Sequence, residues 1–245
     1  MKTVRITIGT SEFSATVPER WDELTASQFC RVLSFKPAYL PVVAMRYLLD
    51  LPDDEAQFVM PVQWHALYRS VFRYLTNPRG ISVWILDAIT LSDGRSVYPP
   101  AADFDNVTWE EFLFADELAA KQRWDAVAAC LFRPMLSVPD ENADTRTPFT
   151  RAGMNNRYPL FAELDAATLR AVEVNYLALR RRLTKRYSYL FTSSGSEQSD
   201  PGWIEVSHAL LGDTVWNEQQ LLHTSVGQVL YRLDRQIKDS RKRKN

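Results

Sequence analysis

Residues 107–112 read VTWEEF, and they repeat in outline the hexapeptide LTASQF at residues 24–29. In both, Thr is followed three residues later by Gln or Glu and then by Phe. A Thr side chain at a helix N-cap accepts a hydrogen bond from the amide three residues on, and Gln or Glu there reaches back to the amide of the cap. The two hexapeptides therefore predict helices that begin after Thr25 and Thr108.

Helical spacing of apolar residues continues through most of the chain. One long helix is expected from residue 109 to about Arg133. Other apolar stripes at helical spacing cover residues 64–75, 169–190 and 222–237. The residues that follow the two hexapeptides do not align, so the repetition indicates two helix starts and not a duplicated domain.

Two stretches alternate polar and apolar residues, as half-buried strands do. Residues 3–17 predict a hairpin, and residues 82–98 predict a second one with its turn at Asp93-Gly94. Because an isolated hairpin is marginal in water, we expect the two hairpins to pair in one small antiparallel sheet. The predicted fold class is α+β and mostly α-helical, a helical bundle with that sheet.

Composition changes along the chain predict its domain organisation. Residues 1–135 are expected to form an N-terminal α+β unit. Residues 136–160 are polar and rich in Pro, Asn and Asp, which is typical of a long loop. Residues 161–245 form a C-terminal helical part, which either stands alone or packs on the first unit as one domain.

The overall composition is that of a globular protein. The 245 residues are 46% hydrophobic and 24% charged, and the net charge of −1 gives no strong field toward nucleic acid or membrane. With no signal peptide and no membrane-spanning stretch in the sequence, we expect the protein in the cytoplasm. Cys30 and Cys130 are expected to be buried, reduced thiols; a disulfide would need a closeness that sequence does not reveal.

The residues that usually carry catalysis do not form a recognisable set. The three histidines are far apart in the sequence: His65, His208 and His223. Asp116 and Glu117 are adjacent, so on a helix their side chains point about 100° apart, as on a solvated face. Asp116 lies near the apolar stripe and is the carboxylate most worth following. The sequence thus predicts no catalytic residue, no cofactor and no metal site, and a protein that is not an enzyme.

Aromatic residues are numerous, with seven tryptophans and twelve phenylalanines. Most lie on helical stripes and are expected in the core, but a surplus would suit a protein-binding groove. The candidate partner-binding residues are Trp64, Trp109, Trp124 and Trp216.

Two basic runs could contact nucleic-acid phosphates. The candidate residues are Arg180, Arg181 and Arg182 in the long helix, and Lys242, Arg243 and Lys244 at the C-terminus. Neither run has the interleaved aromatic residues that would make recognition specific, so we favour a solvated helix face and a solvated tail.

The order of phrases along the chain resembles that of a group of uncharacterised phage and prophage proteins from Bacteroidetes. The phrases are PERWDELTASQF, VTWEEFLFADEL, AACLFRP, TRTPF and LLGDTVWNEQQLLHTSVGQVLYRL. The resemblance implies a chaperone-like role in tail assembly, in which apolar grooves bind a helical partner such as a tape-measure protein. It carries over no catalytic residues. The alternative is a small nucleic-acid-associated phage protein that uses the basic helix and C-terminal tail; an enzyme of another type is a third hypothesis.

Overall fold

The computed structural model describes residues 1–8, 11–36, 39–40, 42, 45–51, 56–136, 144–191 and 218–244. These residues are mostly helical with two small antiparallel sheets, so the predicted α+β, mostly α-helical class is confirmed. They pack as two compact units, Met1–Asp87 with Asp165–Ala178 and Ala88–Leu164 with Leu179–Asn245. The chain passes from one unit to the other after residues 87, 164 and 178, and the expected division near residue 135 stays a prediction.

The strands and α-helices follow one another along the chain. In order they are β1 Lys2–Ile8, β2 Ser11–Val17, α1 Ala26–Ser34, α2 Met45–Leu49, α3 Pro61–Leu67, β3 Ile89–Thr90, β4 Ser96–Val97, α4 Trp109–Ala120, α5 Trp124–Leu131, α6 Arg151–Ala162, α7 Ala166–Arg186, α8 Ser188–Phe191, α9 Glu218–His223 and α10 Val226–Lys244. Short 3₁₀ turns occur at Trp21–Glu23 and Pro78–Gly80.

The N-terminal hairpin is confirmed. β1 and β2 pair antiparallel, from Lys2 opposite Val17 to Ile8 opposite Ser11. Val4 and Ile6 of β1 are buried, as is Val17 of β2. Since side chains alternate between the two faces of a strand, Val4 and Ile6 lie on one face of the hairpin, and that face packs into the first unit.

The prediction that both hairpins join in one sheet is wrong. The described strands form two separate two-stranded sheets. β3 and β4 pair only through Ile89 with Val97 and Thr90 with Ser96, and they belong to the second unit. Ile89 and Val97 are both buried there, so the short hairpin is stabilised by its own unit and needs no third strand.

The strand expected at residues 82–86 is also absent from the structure. The side-chain amide of Asn175, buried on α7, takes the place of a neighbouring strand. Its Oδ1 accepts hydrogen bonds from the backbone amides of Ile85 (3.2 Å) and Leu86 (3.4 Å), and its Nδ2 donates to the carbonyl of Val83 (2.9 Å). One side chain thereby supplies hydrogen-bond partners for three backbone groups of an apolar segment that pairs with no neighbouring strand.

The helix expected from residue 109 to Arg133 is two helices, α4 and α5. Gln122 adopts the left-handed conformation, with φ +56°. The backbone amide of Arg123 donates to the carbonyl of Leu118, and the backbone amide of Gln122 donates to the carbonyl of Ala119. These two hydrogen bonds are the Schellman pattern of a helix C-terminus. The usual signal for this motif is Gly, and a Gln in its place hides the helix end from sequence analysis.

The loop expected at residues 136–160 is partly helical. α6 begins after Thr150, whose Oγ1 accepts a hydrogen bond from the amide of Gly153 at 3.0 Å. Gly153 and Pro159 inside this helix resemble loop residues in the sequence, which explains the error. Residues 137–143 lie outside the described residues.

The C-terminal helix is interrupted near residue 224. The helix expected from about Val215 is observed as α9 and α10, and residues 215–217 lie outside the described part. Between the two helices the amide of Val226 donates to the carbonyl of Val107, and the amide of Trp109 donates to that of Thr224. These hydrogen bonds to residues 107 and 109 of the same chain take the place of helical hydrogen bonds, and they divide the predicted helix into two. The basic run at the C-terminus is a continuation of α10 through Lys244 and not a separate tail.

Candidate functional site

Among the described residues, two of the candidate tryptophans lie in the core of their units. Trp64 and Trp109 are buried, and Trp109 stacks on Phe112 with the ring centroids 5.8 Å apart. Trp124 is half-buried at the start of α5, and Trp216 lies outside the described residues. Because Trp64 and Trp109 are core residues, a partner-binding surface has to be sought among other side chains.

Large apolar side chains are exposed in one short segment of the first unit. Phe58, Met60 and Val62 are 70%, 58% and 67% exposed, respectively. Their Cα atoms lie within at most about 14 Å of one another, because four residue steps of chain reach no further. Single exposed apolar residues are ordinary, whereas a group of them marks an interaction surface. We call residues 58–62 the exposed segment.

The exposed segment is held in place from both ends. Val59, between two exposed side chains, is buried and anchors the segment to the first unit. At the start of α3, the amide of Met60 donates to the side-chain Oε1 of Gln63 at 2.9 Å, and Pro61 occupies the first helical position. Trp64 then turns inward. The side chains of Phe58, Met60 and Val62 are thus presented by a backbone that is fixed on either side of each.

The helix that follows the exposed segment is irregular. α3 passes into a π-helical turn at Tyr68–Phe72 and then a 3₁₀ turn at Arg73–Thr76. A π turn adds a residue to the helical repeat, so the fully buried Phe72 lies one residue beyond the position that regular spacing from Trp64 would bury. Such turns are frequent at functional sites.

Two residues that the sequence suggested for separate roles come together in the second unit. Arg180 Nε lies 2.5 Å from Asp116 Oδ1, and Arg180 Nη2 lies 3.3 Å from Asp116 Oδ2. Arg180 is therefore engaged by a carboxylate, whereas Arg181 and Arg182 are exposed. Asp116, the carboxylate that sequence analysis singled out, is thus the ion-pair partner of Arg180.

The other candidate basic residues lie at the end of α10. Leu230 and Leu233 bury the first half of this helix in the second unit. Lys242 is exposed on its last turns. The side chains of Arg243 and Lys244 lie outside the described part of the chain. Cations near a helix C-terminus are stabilised by the helix dipole. Basic residues at the end of α10 therefore stabilise that helix whether or not they bind a partner.

A buried ionic cluster in the second unit was not predicted from the sequence. Arg133 Nη2 donates to Glu111 Oε2 at 3.3 Å and to Asp144 Oδ2 at 2.7 Å. Arg146 binds the same Asp144 carboxylate through Nε at 2.9 Å and Nη2 at 2.8 Å. Glu111, Arg133 and Arg146 are all buried. Two carboxyl groups and two guanidinium groups are thus brought together, and of the four side chains Asp144 is partly exposed.

Several polar atoms of this cluster have no hydrogen-bond partner. In the described part of the chain, the unpartnered buried atoms include Glu111 Oε1, Arg133 Nε, Thr147 Oγ1 and Arg157 Nε. Burial raises the pKa of Glu111 to about 7, against the opposing effect of Arg133 and Arg146. Burial also lowers the pKa values of Arg133 and Arg157. The cluster is therefore paired but incompletely satisfied.

Sequence analysis assigned Glu111 to a helix cap and thereby overlooked the cluster. In the first hexapeptide the prediction is confirmed: Gln28 N donates to Thr25 Oγ1, and Thr25 N donates to Gln28 Oε1. In the second, Thr108 Oγ1 accepts from Glu111 N at 3.2 Å, but the Glu111 side chain turns inward to Arg133. No local signal distinguishes the two cases, because Arg133 and Asp144 lie 22 and 33 residues away.

The two cysteines are free thiols, and His65 is a surface residue. Cys30 and Cys130 are both free; Cys130 is buried as predicted, whereas Cys30 is only partly buried. Burial raises the pKa of both thiols. His65 is exposed on α3, as predicted, and His208 lies outside the described residues.

The described residues hold no group of three or more His, Cys, Asp or Glu side chains that could bind a metal ion.

No helix in the described part of the chain has the length and apolar character to cross a membrane.

Comparisons with protein families, with curated proteins and with solved structures find no match for this chain. The resemblance to phage proteins therefore rests on the order of phrases in the sequence.

Proposed function

We propose that this protein is a non-catalytic assembly factor that binds another protein through the exposed segment. The observation that supports this proposal is the exposure of Phe58, Met60 and Val62, at 70%, 58% and 67%. Aromatic residues and Met are enriched in protein interfaces, and Met adapts its shape to a partner. Burying these three side chains against an apolar partner surface would remove most of their area from water.

The proposed partner is an amphipathic helix with apolar side chains along one face. Helices of this kind bind to apolar surfaces through anchors at helical spacing. The phage resemblance suggests the assembly in question: a chaperone-like role in tail assembly, with the tape-measure protein as the helical partner. The site of action would be the bacterial host cytoplasm, with later association with the virion.

The test is a triple variant, Phe58→Ser, Met60→Gln and Val62→Gln, assayed by calorimetry against the proposed partner, a phage tape-measure protein. We expect affinity to fall at least ~30-fold, because loss of a hot-spot cluster costs about 2 kcal/mol or more. Tyr231→Gln, which changes a side chain 57% exposed on the second unit, is the matched control and should bind normally. Unchanged affinity of the triple variant, with a normal melting curve, would overturn the proposal.

A second candidate function is nucleic-acid binding through exposed basic residues. Its support is the exposure of Arg181, Arg182 and Lys242 on two helices. Contacts of this kind would be made to phosphates and would weaken steeply with salt. This candidate ranks lower because Arg180 is engaged by Asp116 and the chain as a whole carries a net charge of −1.

A further inference from the structure

We propose that Glu111 is a protonation-controlled latch, which sets how firmly residues 144–147 are held against residues 131–136 in the second unit. This device is separate from the exposed segment and does not depend on the proposed function.

The latch operates through Arg133, which two carboxylates share. One nitrogen, Arg133 Nη2, donates to both Glu111 Oε2 (3.3 Å) and Asp144 Oδ2 (2.7 Å). Arg133 Nη1 also donates to the carbonyl of Thr147. A single guanidinium therefore connects the buried carboxyl of α4 to both ends of the 144–147 segment.

The rest of the attachment consists of backbone pairing and one further arginine. The amide of Thr147 donates to the carbonyl of Pro134 at 2.8 Å, and the amide of Leu136 donates to that of Thr145 at 2.7 Å. Arg146 Nη1 donates to the carbonyl of Leu131 at 2.6 Å. These bonds form a short two-stranded ribbon, and Arg133 is one of two side chains that clamp it.

The charge on Glu111 decides how Arg133 is shared. Besides Arg133, the groups that act electrostatically on this carboxyl are Asp144 and Arg146 on the ribbon, Cys130 on α5 and Arg157 on α6. When Glu111 is protonated, Asp144 is the carboxylate that attracts Arg133. When Glu111 ionises, its negative charge repels the Asp144 carboxylate, which Arg133 Nη2 holds through its other N–H group, while Glu111 Oε1 stays without a partner. The ionised form thus weakens the clamp and leaves an incompletely solvated buried charge.

The direction of the pH effect follows from the raised pKa. The carboxyl has a pKa of about 7 in the folded protein against 4.5 as the ordinary value, so the folded state binds more protons between these two values. The contribution of Glu111 to the free energy of unfolding is therefore most favourable at acidic pH. This contribution is lost as pH rises from about 4.5 through about 7. Both protonation states are populated near neutral pH.

The test is amide hydrogen exchange of Thr147 and Leu136 in the full-length protein at pH 5.5 and pH 8, corrected for intrinsic exchange rates. We expect protection to fall about tenfold or more at the higher pH in the natural protein, and to stay level in Glu111→Gln, which cannot ionise. Glu110→Gln is the matched control, because Glu110 lies on the same helix but pairs with Arg151 at the surface. It should behave as the natural protein does.

Equal pH dependence in the natural protein and Glu111→Gln, or none in the natural protein, would overturn the latch. A second measurement needs no variant. Carbon-13 NMR of the glutamate side-chain carboxyls should show one resonance that titrates near pH 7. If every glutamate titrates below about pH 5.5, the latch is excluded even where Glu111→Gln does not fold.

Discussion

Arg180 on α7 and Asp116 on α4 form a two-point ion pair, with Nε 2.5 Å from Oδ1 and Nη2 3.3 Å from Oδ2. The pair connects positions 64 residues apart, and it engages the first residue of the RRR run while leaving the next two exposed. A basic run in the sequence is therefore not a uniform basic surface. One of its three cations stabilises the fold of the second unit.

Removing the Asp116 carboxylate should destabilise the protein by about 1 kcal/mol. Asp116→Asn keeps the shape of the side chain but loses the charge, and the pair is only partly exposed, so it is worth more than a typical surface pair. Glu117→Gln is the control, since Glu117 forms an exposed pair with Lys121 and should cost at most about 0.5 kcal/mol. Urea denaturation measures both; equal effects would contradict the distinction.

Alanine at the corresponding positions of the two hexapeptides should have very different effects. Gln28→Ala removes one exposed capping bond of α1 and should cost at most about 1 kcal/mol. Glu111→Ala leaves Arg133 buried with fewer partners and opens a gap in the core, so about 3–5 kcal/mol should be lost. Urea denaturation at one fixed pH tests the contrast. Similar losses for both variants would show that Glu111 is only a cap.

Asn175→Ala should destabilise the first unit by about 2–4 kcal/mol, because two amides and one carbonyl of residues 83–86 lose their buried partner. Leu177→Ala, on the same helix but with an exposed side chain, should cost less than about 1 kcal/mol. Hydrogen exchange at Ile85 and Leu86 should accelerate in Asn175→Ala alone. Normal protection there would mean that packing, and not the amide, holds the segment.

Gln122→Gly should stabilise the end of α4 by about 1 kcal/mol. Gln122 has φ +56°, a conformation that costs a residue with a side chain more than it costs Gly. Lys121→Gly is the control, because Lys121 has φ −86° and Gly should only destabilise there. Thermal melts of the two variants should shift in opposite directions, and a lower melting temperature for Gln122→Gly would contradict the motif.

Deleting residues 238–245 should leave the affinity for the tape-measure protein within about twofold, because the proposed contact energy resides in apolar anchors. The deletion begins beyond Leu233, the last buried residue among the described side chains of α10, so the unit should still fold. Nucleic-acid binding through this run would instead lose about 10³-fold or more between 50 and 200 mM salt for six or more phosphate contacts. Tight DNA binding at physiological salt that disappears on truncation would favour the second candidate function.

Sequence analysis succeeded where the signal was local. The cap at Thr25, the hairpin of β1 and β2 and the turn at Gly94 each depend on residues within a few positions of one another. It failed where the deciding partner was distant or unusual. Gln122 ends a helix without the expected Gly, and Asn175 pairs a segment 90 residues away.

The exposed segment illustrates the same limit for the candidate site. In it Phe58, Met60 and Val62 are exposed and Val59 is buried, and nothing in the residue types alone predicts which of these apolar side chains are exposed. Trp64 and Trp109 were the more prominent aromatic residues in the sequence, yet both lie in the core. Large aromatic side chains bury the most area and are drawn inside wherever the packing allows it.

By itself the sequence determined the helical class of this protein, its N-terminal hairpin and the points where α1 and α4 begin, because caps, turns and apolar periodicity act over a few residues. The tertiary structure alone decided that the two hairpins form separate sheets, that Arg180 pairs with Asp116 and that Glu111 turns away from its cap toward Arg133. The physical reason is that burial brings together groups far apart in the chain. In a low-dielectric interior a charge or an amide without a partner costs more than any local preference can offset.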